Sequence, residues 1–92
     1  MAELEGKVAI VTGSGRGIGK AVAKVFAREG AKVVVASRTP ATVEAVVREI
    51  RDEGHTALGV PTDVSQKDQI LAMVASTVEH YGTVDILINN AQ

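Results

Sequence analysis

Between residues 7 and 20 the chain reads KVAIVTGSGRGIGK, and no other stretch constrains its fold as tightly. Val8, Ala9, Ile10 and Val11 form a continuous apolar run followed by a turn signal, the pattern of a buried parallel strand. From Gly17 onward the apolar period changes. Ile18, Ala21, Val22, Val25 and Phe26 recur at i, i+3, i+4, i+7 and i+8, which predicts an amphipathic helix packed on a sheet. A glycine-rich turn over residues 12–17 joins the two. That order suits an anion, because the first turn of a helix holds unpaired N–H groups at the positive end of its dipole and glycines let the ligand approach.

The spacing narrows the choice. A Walker A loop requires glycine at position 14 and Ser or Thr at 21, where this chain has Ser14 and Ala21, so a P-loop is rejected. The dinucleotide fingerprint G-x-G-x-x-G also fails: counted from Gly13 it ends on Ile18, and counted from Gly15 it ends on Lys20. What stands here is Thr12-Gly13-x-x-x-Gly17-Ile18-Gly19.

The rest of the chain alternates. Residues 31–36 (AKVVVA) are a second β-branched strand, broken by Ser37-Arg38-Thr39-Pro40, with Thr39 a candidate N-cap and Pro40 suited to the first helical position. Val43, Val46, Val47 and Ile50 mark a second helix that closes at Gly54. Residues 56–60 read as a weaker third strand. Ser65, with Asp68 three residues on, is expected to cap a third helix whose buried stripe is Ile70, Leu71, Val74 and Val78 and which ends near Gly82. Residues 84–88 (VDILI) are a fourth strand before Asn89-Asn90-Ala91-Gln92. The order β-α-β-α-β-α-β with short connections predicts an α/β Rossmann-type parallel sheet, the first half of a doubly wound fold, with strand order 3-2-1-4. A ligand would then lie in the crevice outside the carboxyl ends of strands 1 and 4.

Composition excludes several functions. A net charge of −1 with intermixed signs supplies no basic stripe for nucleic acid or an anionic membrane. The absence of cysteine excludes disulfides and thiolate metal sites, and His55 and His80 lack partners at ligand spacing, so no metal is expected. The apolar runs are far shorter than the roughly 20 residues of a membrane span, and without a targeting segment the default address is cytoplasmic.

Three segments after strands 1, 3 and 4 carry a resemblance: T-G-x-x-x-G-I-G at residues 12–19, Asp63-Val64, and Asn89-Asn90-Ala91. Their wording and order resemble the cofactor-binding portion of the short-chain dehydrogenases/reductases, over essentially the whole chain. The resemblance implies a nicotinamide cofactor across the strand ends. Its expected contacts in the first loop are Gly13, Ser14, Arg16, Gly17, Ile18 and Gly19, with the pyrophosphate over the helix start. It also implies that Asp63 meets the adenine amino group with help from the Val64 backbone, that Asn89 and Asn90 line the groove and tie the central strands together, and that Ala91 belongs to the same cofactor site.

Charge bears on the choice of cofactor. A fold that takes NAD usually ends its second strand in an acid that accepts from the ribose 2′-OH and would repel a 2′-phosphate. Here that position is Ser37, followed by Arg38, and Arg16 precedes Gly17. Two guanidiniums and a hydroxyl converging there predict NADP(H) in preference to NAD(H). The resemblance further implies hydride transfer between nicotinamide and a carbonyl or secondary alcohol, with wording most similar to 3-oxoacyl-carrier-protein reductase-like and carbonyl reductase-like members.

The family's Tyr-x-x-x-Lys pair is not found. Four residues beyond Tyr81, the one tyrosine, stands Asp85, so Tyr81 is expected to pack and Lys20 to be a solvated first-turn residue. The 92 residues are therefore expected to be the N-terminal NAD(P)-binding part of such a domain, inactive alone, with the catalytic part absent. Gln92 replaces the glycine of the family's N-N-A-G, either at a break in the chain or as a substitution. The alternative is a non-catalytic isoform that binds nucleotide or a partner. In either case an uncovered fourth strand is expected to cause self-association or pairing with a full-length partner.

Overall fold

In the computed structural model, which describes residues 3–90, the first apolar run becomes β1 (Val8–Thr12), buried at all five positions. It leads into α1 (Gly17–Arg28), then β2 (Lys32–Ala36), α2 (Pro40–Asp52), β3 (Ala57–Gly59), α3 (Lys67–Tyr81) and β4 (Ile86–Ile88). The four strands pair in parallel in the order β3-β2-β1-β4, as the alternation predicts, with Ile10 opposite Val34 on one side and Leu87 on the other. Ala91, counted above with the asparagines, and Gln92 lie outside the described residues.

Strand alternation divides the core between two faces. Ala9, Val11, Val33 and Val35 meet α1 and α2, whereas Ile10, Val34 and Ala36 meet α3 through Met73. Fully burying each Val or Ile contributes about 1.5–3 kcal/mol, so β1 and β2, buried almost throughout, anchor the sheet.

α2 buries the expected stripe of Val43, Val46, Val47 and Ile50, whereas α1 and α3 depart from theirs. In α1 the buried row is Gly19, Ala23 and Ala27, with Val22 and Phe26 packed beside it, while Ile18 is 70% and Val25 50% exposed. Small side chains bring the helix axis close to the sheet, and the larger apolar residues are turned outward. In α3, Ile70 and Val74 pack inward with Met73, but Leu71 and Val78 face solvent. The expected Ser65 cap does not form. Gln66 occupies that position without a side-chain bond, and the Ser65 hydroxyl instead donates to Asp63 Oδ1 at 2.6 Å. A nearby carboxylate is the stronger acceptor.

Thr39 does precede α2 with Pro40 in the first turn, although its hydroxyl caps nothing. β3 and β4 are each shorter than their apolar runs. Val84 packs into the α3 face, and Asp85 leaves the ladder to clasp Val8: its N–H donates to the Val8 carbonyl at 2.9 Å and its Oδ2 accepts the Val8 N–H at 2.9 Å. Among the described residues β4 pairs only with β1, and Leu87, on the α3 side of that edge, is 55% exposed.

Lys20, expected to be solvated, reaches Glu49 at 3.0 Å and begins a ladder in which Lys24 binds Glu49 and Glu53, and Arg28 binds Glu53. The ladder fastens α1 to α2. Hydrogen bonds from Lys20 and Lys24 hold the Glu49 carboxyl below its ordinary value, those from Arg28 and Lys24 do the same for Glu53, and both acids raise Lys24.

Candidate functional site

β1 stops where Gly13 turns the chain with φ = +63°, a conformation that disfavours any residue with a Cβ. Its neighbours add a second requirement. A Cβ on Gly13 would overlap the Asn90 carbonyl oxygen, and one on Gly19 would overlap the Gly13 carbonyl and come within 2.6 Å of Asn90 Nδ2. Asn90 therefore sits in a notch made by two missing side chains. Gly17 is different. It also has positive φ, +60°, but a Cβ there would meet nothing within 4 Å, so its bareness leaves open space above the start of α1.

Two buried hydroxyls fasten the strand ends on either side of β1. Thr12 Oγ1 accepts the Asn90 N–H at 2.9 Å and shares its proton between the Ile88 carbonyl (3.3 Å) and Asn89 Oδ1 (3.2 Å), tying β1 to β4. Ser14 Oγ donates to the Val11 carbonyl at 2.6 Å and accepts the Ala36 N–H at 3.0 Å, tying β1 to β2.

Above these ends lies a crevice of about 720 Å³, within the range of small-molecule sites. Of the expected contacts, Gly13, Arg16, Gly17, Ile18, Ser37, Arg38, Asp63, Val64 and Asn90 line it. Ser14 and Gly19 are buried beneath it, and Asn89 is exposed with its amide oxygen on Thr12. A second hollow of about 400 Å³, against Leu58, Pro61 and Glu79, contains none of the expected residues.

Sequence reasoning missed four lining residues: Thr39, Thr42, Thr62 and Ser65. Thr39 and Thr42 stand three apart at the start of α2, which the order Thr-Pro-x-Thr signals. Thr62 is signalled only by its place after β3; its N–H donates to the Ser37 carbonyl at 2.7 Å and joins the second loop to the third.

The electrostatics favour an anion at one end. No acid stands in the first turn of α1, and its N-cap position, Arg16, uses no side chain to satisfy the orphan N–H groups. Among the described residues neither Arg16 nor Arg38 forms an ion pair. Asp63, across the crevice, is ionised: the hydrogen bonds from the Ser65 hydroxyl and then the Ser65 N–H hold its carboxyl below the ordinary value, with a lesser contribution from Arg38. Both Ser65 bonds use Oδ1, so Oδ2 is left to accept from a ligand.

Tyr81 lies outside the crevice. Its ring packs into the α3 face, makes an edge contact with His80 at 4.6 Å and has Lys32 Nζ 5.6 Å from its centroid. Burial pushes its phenol above the ordinary value, and the charge of Arg51 only partly opposes that shift. Among the described residues no cluster of acids or histidines could hold a metal ion, and no helix is long and apolar enough to cross a membrane.

Comparison with known proteins agrees with this geometry. The family model described as short chain dehydrogenase matches residues 7–92. An uncharacterized oxidoreductase of Thermotoga maritima is 47% identical over 88 residues, 96% of this chain and 34% of its own. Versicolorin reductase 1 of Dothistroma septosporum is 47% identical over 89 residues, again 96% of this chain and 34% of its own. Among solved structures, a hydroxysteroid dehydrogenase from Escherichia coli superposes with a TM-score of 0.92 at 40% identity, covering 94% of this chain and 36% of that one. A 7α-hydroxysteroid dehydrogenase complexed with NADH and 7-oxo glycochenodeoxycholic acid superposes with a TM-score of 0.89 at 39% identity, covering 91% of this chain and 33% of that one. The chain thus spans about a third of the length of the relatives it matches.

Proposed function

The chain belongs to the short-chain dehydrogenase family, and from that premise we propose that residues 1–92 are the dinucleotide-binding part of an NADP(H)-dependent oxidoreductase. The residues present fit such a group. Open space over Gly17, an α1 first turn without acids and a free carboxylate oxygen on Asp63 suit a pyrophosphate and an adenine in turn. In this reading the N–H groups at Gly17, Ile18 and Gly19 hold the pyrophosphate, Asp63 and Val64 hold the adenine, and Asn89, Asn90 and Ala91 flank the nicotinamide side. Bound there, the cofactor would supply or accept hydride.

One observation carries the preference for NADP(H): Arg16, Ser37 and Arg38 line the same crevice, with no acid at the end of β2. Two guanidiniums and a hydroxyl can bind a 2′-phosphate, and no carboxylate at the end of β2 would repel it. The substrate of the whole protein is proposed to be a carbonyl or secondary alcohol, of the 3-oxoacyl-carrier-protein reductase-like or carbonyl reductase-like kind. The proton chemistry falls outside these residues, since Tyr81 is half-buried in a packed face. The open edge of β4, with Leu87 beside it, supports association with a second copy or a full-length partner. Titration with NADPH and NADH, followed by nicotinamide fluorescence with the oligomer size measured on the same sample, tests the reading. Tighter NADPH binding is expected, and tighter NADH binding would overturn it.

A further inference from the structure

Ser14 stands apart from the other residues of the glycine turn. It is fully buried, forms no part of the crevice wall, and spends its polar groups on the protein. Its hydroxyl bridges the Val11 carbonyl and the Ala36 N–H, and its own N–H donates to the Ala36 carbonyl at 3.2 Å. Gly15 continues the contact: a Cβ there would come within 2.7 Å of Thr42 Cγ2 and 2.9 Å of Ser37 Oγ. The pair Ser14-Gly15 is therefore docked against the end of β2 and the first turn of α2. Arg16 follows it directly, and Ser37 and Arg38 follow Ala36 directly.

We propose that Ser14 is a positioning residue for cofactor discrimination, fixing the separation of Arg16 on the first loop from Ser37 and Arg38 on the second so that all three reach one 2′-phosphate. This rests on the reading of the crevice as an NADP(H) site. The asymmetry follows from which elements hold which group. A pyrophosphate over the first turn of α1 is held by one rigid element and tolerates a small displacement of β2. A 2′-phosphate is held from two loops at once by short charge-assisted bonds, and a change in the gap between them breaks one set. Removing the Ser14 hydroxyl also removes the side chain that bridges the Val11 carbonyl and the buried Ala36 N–H, which loosens the second loop from the first.

The test measures dissociation constants for NADPH and NADH in the full chain and in Ser14→Ala, Arg38→Gln and the double variant. With NADPH preferred by the wild type, Ser14→Ala should weaken NADPH about tenfold and NADH less than about threefold, the loss of roughly one charge-assisted bond. In the Arg38→Gln background the same change should weaken both cofactors alike. Equal losses for the two cofactors in the Arg38 background and in the wild type would overturn the inference and leave the NADP(H) reading standing. A wild type without NADPH preference overturns both. Should Ser14→Ala fail to fold by circular dichroism, Gly15→Ala, which forces the same two loops apart by contact with Ser37 and Thr42, is judged by the same ratios.

Discussion

Replacing Gly19 by alanine sets two effects against each other, and the geometry decides the sign. Gly19 lies inside α1, where alanine is ordinarily better than glycine by about 1 kcal/mol. Its Cβ, however, would overlap the Gly13 carbonyl oxygen and approach Asn90 Nδ2 within 2.6 Å. The first obstacle is backbone, held at the end of a strand that is buried throughout, and cannot rotate aside. Relief requires α1 to lift or the turn to shift. Overpacking of this kind costs about 1–3 kcal/mol, and an overlap with backbone lies at the upper end of that range. The net expectation is a loss of about 1–2 kcal/mol where helix propensity alone predicts a gain. With a urea m-value of about 1–2 kcal/mol/M for a domain this small, the midpoint should fall by about 1 M. Urea unfolding followed by circular dichroism, repeated at a tenfold lower protein concentration to separate any contribution from association, measures it. An unchanged or raised midpoint would refute the close-contact argument.

Three further outcomes are expected. Glu49 and Glu53 have depressed carboxyl values, so the stability they contribute is present above the unfolded carboxylate range and lost as pH falls through the folded one, whereas the raised Lys24 loses its share as pH rises through its folded value. Urea midpoints across pH should show both losses, and Glu49→Gln with Glu53→Gln should flatten them. Asp63→Asn should weaken either dinucleotide several-fold, and in the wild type the affinity should hold from neutral pH into mild acid, falling only below the ordinary carboxylate range because the Asp63 carboxyl is depressed; titrations across pH check both. Leu87→Lys should reduce association of the chain, read as a smaller mass by sedimentation, because a charge on an open edge opposes strand pairing.

Much of this architecture was legible in the residues. Apolar runs at 8–11 and 31–36 could bury both faces only in a parallel sheet, and the expected strand order 3-2-1-4 is the observed one. The first loop was legible because its glycine spacing eliminated the rival phosphate loops. The α2 stripe was legible too, and what escaped was the identity of the buried faces of α1 and α3. Periodicity weighs large apolar residues most, but α1 buries Gly19, Ala23 and Ala27 because close approach to the sheet needs small side chains. Ser65 looked like a cap because capping chemistry is local, yet a carboxylate two residues earlier was a better partner for its hydroxyl. Ser14 looked like a ligand contact because it lies among such residues, and only its bonds to Val11 and Ala36 turn its side chain away from the crevice. Thr42 and Thr62 line the same crevice through tertiary contact between loops that the sequence separates.

The Asp85 clasp on Val8 joins residues 77 apart. β1 is the central strand, and its neighbour β2 follows it closely, but its other neighbour, β4, is the last strand described. During synthesis one side of this fully buried strand stays open while everything between is made, and closing it is a long-range parallel pairing, a slow kind of contact to form. The sheet can grow early on its β2 and β3 side, but its centre is sealed late. The β1 edge of a nascent copy is therefore open to misassembly until Asp85 reaches Val8.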